Sequence, residues 1–226
     1  MLAARVSFSQ GLPLSSIIRL ALAAMGGDRG PKSVIPGAAL ALEERPSLRF
    51  TFFGDAKDIQ PFLNEYPALM AASDVVHTDV AIASDDKPAA ALRRGRHSSM
   101  RLAIDAVAEG RADCVVSAGN TGALMATAKL VFKCLPGIHR PAIASVLPSA
   151  KGRTVMLDLG ANVQCDAENL VQFAILGACF ARSVLKIERP TVGLLNIGSE
   201  DMKGHETLHE ASAVLPSAAF PGHFFG

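Results

Sequence analysis

"CVVSAGNTGALMATAKL", Cys114 to Leu130, is the stretch that decides the fold. Its first residues are β-branched and apolar, its last are good helix formers, and Ser117-Ala118-Gly119-Asn120-Thr121-Gly122 lies between them. A short buried strand that passes straight into a helix is the repeating half of an α/β sheet. Gly119 and Gly122 permit close backbone approach. Asn120 and Thr121 bring hydrogen-bonding side chains, and a helix start presents unpaired N–H groups and a positive dipole end. Two readings stand: a tight turn with Thr121 as N-cap, or a seat for an anion. The spacing matches neither a Walker loop nor G-x-G-x-x-G, so it gives no support to nucleotide binding.

The same alternation runs outward in both directions. Residues 17–25, "IIRLALAAM", read as a buried strand interrupted only by Arg19 and stopped by Gly26-Gly27-Asp28-Arg29-Gly30-Pro31. A helix is expected after Pro36, a strand over 48–55, a short helix over 56–66 and an extended stretch over 75–84. "SSMRLAIDAVAEG" is an amphipathic helix capped by Ser98 or Ser99 and ended by Gly110. The helix after SAGNTG is expected to end at Pro136-Gly137. Two strands follow over 141–149 and 154–162, then a long helix over 168–185, a strand over 191–198 and a helix from His205. Apolar strands alternating with helices predict a mostly parallel sheet with helices on both faces. Ligands of such sheets collect at the carboxyl ends of strands. Four strands run out there into glycine-rich polar turns: GGDRGP, SAGNTG, DLGAN and NIGSED.

Bulk properties narrow the function. The 226 residues are 50% hydrophobic and 19% charged, with a net charge of +1, so no overall field recruits nucleic acid or an anionic membrane. One Tyr and no Trp leave little for stacking single-stranded nucleic acid. Cys114, Cys134, Cys165 and Cys179 form no C-x-x-C pair and have no histidine at zinc spacing; they read as buried, reduced thiols of a cytoplasmic protein with no metal centre. Residues 1–18 read as a disordered extension rather than an export signal, because Arg19 breaks the apolar run, and residues 19–226 read as the α/β domain.

Three further clusters carry possible chemistry. "RRGRHSSMR" supplies Arg93, Arg94 and Arg96 beside Ser98 and Ser99. Guanidinium forks suit phosphate, carboxylate or an acidic protein, and a solvated face is the alternative. "LDLGANVQCD" places Asp158 at a strand end with Gly160 and Asn162 just beyond, and Cys165 has no evident base to make it a nucleophile. "NIGSEDMKG" brings together Asn196, Glu200 and Lys203, as a surface pair or as site residues. Anion-binding turns and arginines, with few acids or bases, suit a reaction in which phosphate is positioned against an already reactive partner.

Taken together, "AMGGDRGP", "RRGRHSSMRLA", "CVVSAGNTGALMATAKL", "RPAIASVLP", "LDLGANVQCDAENLVQFAILG" and "VGLLNIGSEDMKG" resemble, in order and spacing, the PlsX phosphate acyltransferases of bacterial phospholipid synthesis. The resemblance covers Leu20 to the C-terminus. It implies a fold like the isopropylmalate dehydrogenases and phosphotransacetylases, and a homodimer. It also implies transfer of an acyl group from acyl-[acyl carrier protein] to inorganic phosphate, giving acyl phosphate for a membrane glycerol-3-phosphate acyltransferase. A thioester is already activated, so no metal or redox cofactor is required. The acidic carrier would meet Arg93, Arg94 and Arg96, and the enzyme would be cytoplasmic or peripheral at the inner face of the membrane.

On these motifs the candidate catalytic residues are Asn120, Thr121, Asp158, Asn162 and Lys203. The candidate substrate-binding residues are Gly26, Gly27, Asp28, Arg93, Arg96, Ser98, Ser99, Gly119, Gly122, Gly160, Asn196 and Glu200. Three departures from the family stand out. Ala23 occupies a position where the family has Asp, so a strand-end carboxylate facing the site is expected to be missing. Gln164 replaces an acidic residue. The chain also stops short of the family's usual length. The competing readings are a short-chain phosphotransacetylase using acyl-coenzyme A and an inactive fragment of the enzyme.

Overall fold

The computed structural model describes residues 17–150, 152–162, 164–196, 206–215 and 223–225. The chain divides into two units, Met1–Lys133 and Cys134–Gly226.

The first unit is built on four strands: β1 (Ile18–Ala23), β2 (Leu48–Gly54), β3 (Ser73–His77) and β4 (Cys114–Ser117). They lie in the order β3-β2-β1-β4, and every pairing is parallel. Side chains alternate between the two faces of the sheet. Leu22, Phe50 and Phe52 pack on one side against Ile35 of α1 (Pro31–Glu44), Ile59 of α2 (Ala56–Leu63) and Leu69 of α3 (Pro67–Ala71). Ala21, Ala23 and Phe53 pack on the other side. There they meet Ala91 of α4 (Pro88–Arg94), Met100, Ala103 and Ile104 of α5 (Ser99–Ala108), and Ala123 of α6 (Thr121–Phe132). Burial on both faces explains why β1 reads as a nearly continuous apolar run. Its one charge, Arg19, sits at the amino end of the strand. Its backbone N–H donates to Asp113 Oδ2 at 2.7 Å, and its guanidinium donates to Asp113 Oδ1 at 2.8 Å and to the Gly110 carbonyl at 2.8 Å.

In the second unit, β5 (Ser145–Ser149) and β6 (Gly152–Met156) form an antiparallel pair. The helix α7 (Ala167–Ser183) packs on α8 (Glu206–Val214), and β7 (Thr191–Gly193) runs parallel to β8 (His223–Phe225). Asp166 and Asn169 close a reciprocal capping box at the start of α7. None of the described helices is long and apolar enough to cross a membrane.

Several elements differ from the sequence expectation. None of the four thiols is fully buried, Cys114 and Cys179 being exposed, and β4, expected to be buried, leaves Cys114 and Val116 exposed because it is the outer strand of the described sheet. The first helix begins at Pro31 and runs through Pro36. Pro31 fits the first helical position, where its missing N–H has no partner to lose. Pro36 forgoes one bond, to the carbonyl of Lys32, an exposed residue that water can reach. The extended stretch over 75–84 is a strand only to His77; beyond it, Thr78–Lys87 runs as an irregular strap into α4. The strand over 191–198 is described as strand only to Gly193. Finally, α6 ends at Phe132, one residue before Lys133 takes a positive φ of 61°, and so before Pro136-Gly137. Of the expected disordered extension 1–18, residues 1–16 lie outside the described residues, while Ile18 already belongs to β1 and pairs with Leu48.

Candidate functional site

Because all four strands of the first unit are parallel, their carboxyl ends share one edge, and β1 and β4 are neighbours there. GGDRGP and SAGNTG are thereby brought together. The contact is between backbones. A Cβ added to Gly26 would stand 2.8 Å from both the Cα and the N of Gly119, and one added to Gly27 would stand 2.7 Å from the Ala118 carbonyl oxygen. Gly27 also has a φ of +77°, which glycine alone adopts at low cost. The glycines at 26, 27 and 119 therefore let two turns close on each other with no side chain between them.

The local order of SAGNTG follows from two caps. Ser117 Oγ accepts the Gly119 N–H at 3.1 Å. Asn120 Oδ1 accepts the Ala123 N–H at 2.9 Å, so Asn120, and not Thr121, is the N-cap of α6. Asn120 wins because its carbonyl oxygen reaches the third N–H of the helix while its own backbone stays outside it. Thr121 is the first helical residue and is exposed. With the Ala123 N–H capped by Asn120, the first two N–H groups of α6, from Thr121 and Gly122, keep the positive dipole end of the helix open to an anion. The Asn120 amide has a second commitment: its Nδ2 lies 3.3, 3.0 and 2.9 Å from the carbonyl oxygens of Ala83, Ser84 and Asp86.

The arginine cluster borders the same unit. Ser98 is fully buried and N-caps α5: its Oγ accepts the Arg101 N–H at 3.2 Å and donates to the Gly95 carbonyl at 2.7 Å. Ser99 is the first residue of α5, also buried, and its N–H donates to the Val80 carbonyl. These serines fix the backbone that carries Arg93 and Arg96, which are both exposed. Asp28 and Arg29 are exposed on the GGDRGP turn. The position of Ala23 corrects one expectation. Its side chain is 2% exposed and belongs to the apolar cluster with Phe53, Met100 and Ala103. A carboxylate there points into the core beneath α5, not to the open edge.

The DLGAN turn belongs to the second unit and is closed by its own side chains. Asp158 Oδ1 accepts the Ile143 N–H at 2.7 Å, and Asp158 Oδ2 accepts the backbone N–H of Asn162 at 2.7 Å and its amide at 3.0 Å. The Asn162 amide also donates to the Pro141 carbonyl at 2.9 Å, and Gly160 turns the chain with a φ of +94°. Burial works against ionisation of Asp158, but the hydrogen bonds from Ile143, Asn162 and Ala161 outweigh it and hold the carboxyl below the usual range. Asp158 and Asn162 thus order the turn. Burial, with Asp158 and Asp166 nearby, pushes the Cys165 thiol up despite Arg140, which argues against a nucleophilic thiolate. The carbonyl of Gln164 accepts from Arg140. Asn196 is exposed, and Glu200 and Lys203 lie outside the described residues.

Sequence reading missed Ser117 and Thr78. Thr78 Oγ1 donates to the His97 carbonyl at 2.6 Å and ties the strap to the arginine loop. A serine two residues before a glycine at a strand end was the one sign of Ser117; Thr78 left none, because its partner is a distant backbone carbonyl.

The fold is similar to that of solved phosphotransacetylases. The chain superposes on EutD phosphotransacetylase from Staphylococcus aureus with a TM-score of 0.66 at 17% identity, covering 94% of this chain and 69% of that one. It superposes on a phosphotransacetylase from Streptococcus pyogenes with a TM-score of 0.64 at 16% identity, covering 89% and 65%. The sequence profile of the family described as "Fatty acid synthesis protein" matches residues 18–226, and the chain belongs to that family. It is 58% identical over 207 residues to the phosphate acyltransferase of Rhodospirillum centenum, covering 92% of this chain and 58% of that protein. It is 56% identical over 205 residues to the phosphate acyltransferase of Methylocella silvestris, covering 90% and 56%. The chain thus spans less than two thirds of the length of these relatives.

Proposed function

We propose that the protein transfers an acyl group from acyl-[acyl carrier protein] to inorganic phosphate. A phosphate oxygen attacks the thioester carbonyl, the C–S bond breaks, and the carrier leaves as a thiol after taking up a proton. The observation that carries this reading is the glycine-to-glycine contact of GGDRGP and SAGNTG at the head of α6, whose first two N–H groups, from Thr121 and Gly122, suit an anion. Those groups suit either the phosphate or the oxyanion of the tetrahedral intermediate, with Thr121 Oγ1 beside them. The phosphate acyltransferases among the relatives support the same reaction.

Arg93 and Arg96 serve to receive the acidic carrier, and Asp28 and the glycines of both turns shape the phosphate seat. Asp158, Asn162 and Gly160 hold the DLGAN turn in form, and the family resemblance alone assigns Lys203 a catalytic role and Asn196 and Glu200 substrate-binding roles. The proposal extends to a likeness with isopropylmalate dehydrogenases and to a homodimer. It further places the enzyme in the cytoplasm, peripheral to the membrane, where a glycerol-3-phosphate acyltransferase consumes the acyl phosphate.

The test is to incubate the protein with phosphate and either acyl-[acyl carrier protein] or acyl-coenzyme A, and to trap acyl phosphate as the hydroxamate. Faster formation from the carrier-bound acyl group is expected. Product from acyl-coenzyme A alone would establish the phosphotransacetylase reading instead, and no product from either with a folded chain would overturn both.

A further inference from the structure

We propose that Asn120 is a positioning residue, a latch that locks the SAGNTG turn to the strap Thr78–Lys87 and so to the basic helix α4; its link to the carrier rests on the acyltransferase reading above. An amide has two hydrogens, and here three carbonyl oxygens, of Ala83, Ser84 and Asp86, converge on Nδ2 within 3.3 Å. Its oxygen is spent on the Ala123 N–H. Both ends of the side chain are therefore engaged by backbone, and Asn120 has no donor left for a reacting atom.

What the latch holds is a segment without regular structure of its own. Asp86 closes its tip, with Oδ2 accepting the Ala83 N–H at 3.0 Å and its N–H donating to the Ala83 carbonyl at 3.2 Å. The near end is tied by Thr78 to His97 and by the Ser99 N–H to Val80. Those bonds attach to the loop that carries Arg96. Ile82 packs against Gly95, where an added Cβ would stand 3.2 Å from its Cδ1. The far end passes through Lys87, the N-cap of α4, to Pro88, whose Cγ would stand 3.0 Å from a Cβ on Gly122. One side chain thus joins the head of α6 to both ends of the helix bearing Arg93. A carrier seated on those arginines is held in the same frame as the anion seat, and releasing the latch loosens the frame without unseating the anion.

The experiment uses Asn120→Ser and Asn120→Thr, both of which keep an oxygen to cap α6 and add no charge beside the anion seat, while removing the amide donors. Hydrogen exchange over residues 79–90 and equilibrium binding of acyl carrier protein are measured with the KM for phosphate. Exchange in that peptide is expected to rise about tenfold while the helix α6 stays protected. Carrier affinity is expected to fall about tenfold, by more than the KM for phosphate changes. Unchanged exchange in both variants overturns the latch. Faster exchange with unaltered carrier binding, or no carrier binding by the wild-type chain, overturns the coupling. A loss confined to kcat or to phosphate shows that Asn120 acts on the reacting atoms and also overturns it. Failure of the hydroxamate assay sinks the acyltransferase reading separately, since neither exchange nor carrier binding depends on turnover.

Discussion

Replacing Gly26 by alanine tests the central geometry most directly. The new methyl carbon would stand 2.8 Å from the Cα and N of Gly119 and 3.4 Å from Ser117 Oγ. Carbon atoms in contact prefer roughly 3.5–4.0 Å, so the overlap is about 0.7 Å or more. Both obstructing atoms at 2.8 Å are backbone, so no side chain can swing away; the turns must part. Gly26 does not have a positive φ, so the cost is steric and not conformational. Overpacking of this kind costs about 1–3 kcal/mol. For a chain of this size each kcal/mol lowers Tm by roughly 2–4 °C. The effect on catalysis should be larger, because a shift of about 1 Å in a positioned group can cost about a hundredfold in rate. The assay is thermal unfolding beside hydroxamate-trapped acyl phosphate, with Gly37→Ala as the control. Gly37 lies inside α1 with nothing within 4 Å of an added Cβ, so alanine there should stabilise by about 0.8–1.0 kcal/mol and leave the rate alone. A Gly26→Ala protein with unchanged Tm and rate would refute the claim that backbone contact between the two turns builds the site.

Three further outcomes are expected. The Arg19 guanidinium and N–H, donating to Asp113, hold its carboxyl below the usual range, so the stabilisation is present above the unfolded pKa of about 3.9 and is lost as pH falls through the lower folded value. Asp113→Asn should therefore lower Tm at neutral pH and match wild type in strong acid, by no more than about 1 kcal/mol for a pair this exposed; an equal deficit at all pH values contradicts it. Ala23→Asp buries a carboxyl among Phe53, Met100 and Ala103, and burial raises its pKa. The variant should lose stability as pH rises above about 4, by more than about 1 kcal/mol at pH 7, and a variant as stable as wild type at neutral pH in urea titration would show that a partner reaches it. Reversing Arg93 and Arg96 to Glu should weaken carrier binding in a salt-dependent way while moving stability by less than about 0.5 kcal/mol, because both are exposed; carrier titrations at two ionic strengths decide it.

The parts of the fold that could be read in the sequence are those where one local signal decides. Cys114–Ser117 followed by Thr121–Phe132 was legible because β-branched residues, glycines and helix formers succeed each other without ambiguity. Ser98 as a cap and Gly110 as a stop were legible for the same reason. The strap was not, because "VAIAS" has strand composition but finds its partners in Asn120 and Ser99, which lie far along the chain. Pro36 misled because its missing N–H matters only if no solvent reaches the orphaned carbonyl. Within the candidate site, the glycines and the N-terminus of α6 were visible as types. The direction of Ala23 and the double engagement of Asn120 were not, since both depend on which neighbours the sheet order β3-β2-β1-β4 supplies.

Arg19 interrupts an apolar strand at what looks like a cost, and its partner stands 94 residues away. The consequence concerns errors of assembly. The edge strand β4 contributes only four residues, Cys114–Ser117, and Val115 and Val116 are similar enough to trade places. If β4 slid by one residue against β1, Val116 would turn inward, Val115 outward, and the Ser117 hydroxyl that orders the turn would face the wrong side. Asp113 forbids this, because its carboxylate grips both the backbone and the guanidinium of Arg19 and only one alignment satisfies both. The pin lies at the opposite end of the strands from the glycine turns. An error admitted there would be carried along β4 as a rigid displacement and would arrive at Gly119 as a whole-residue offset, so the fidelity of the edge that carries the glycine turns is secured at the far side of the sheet.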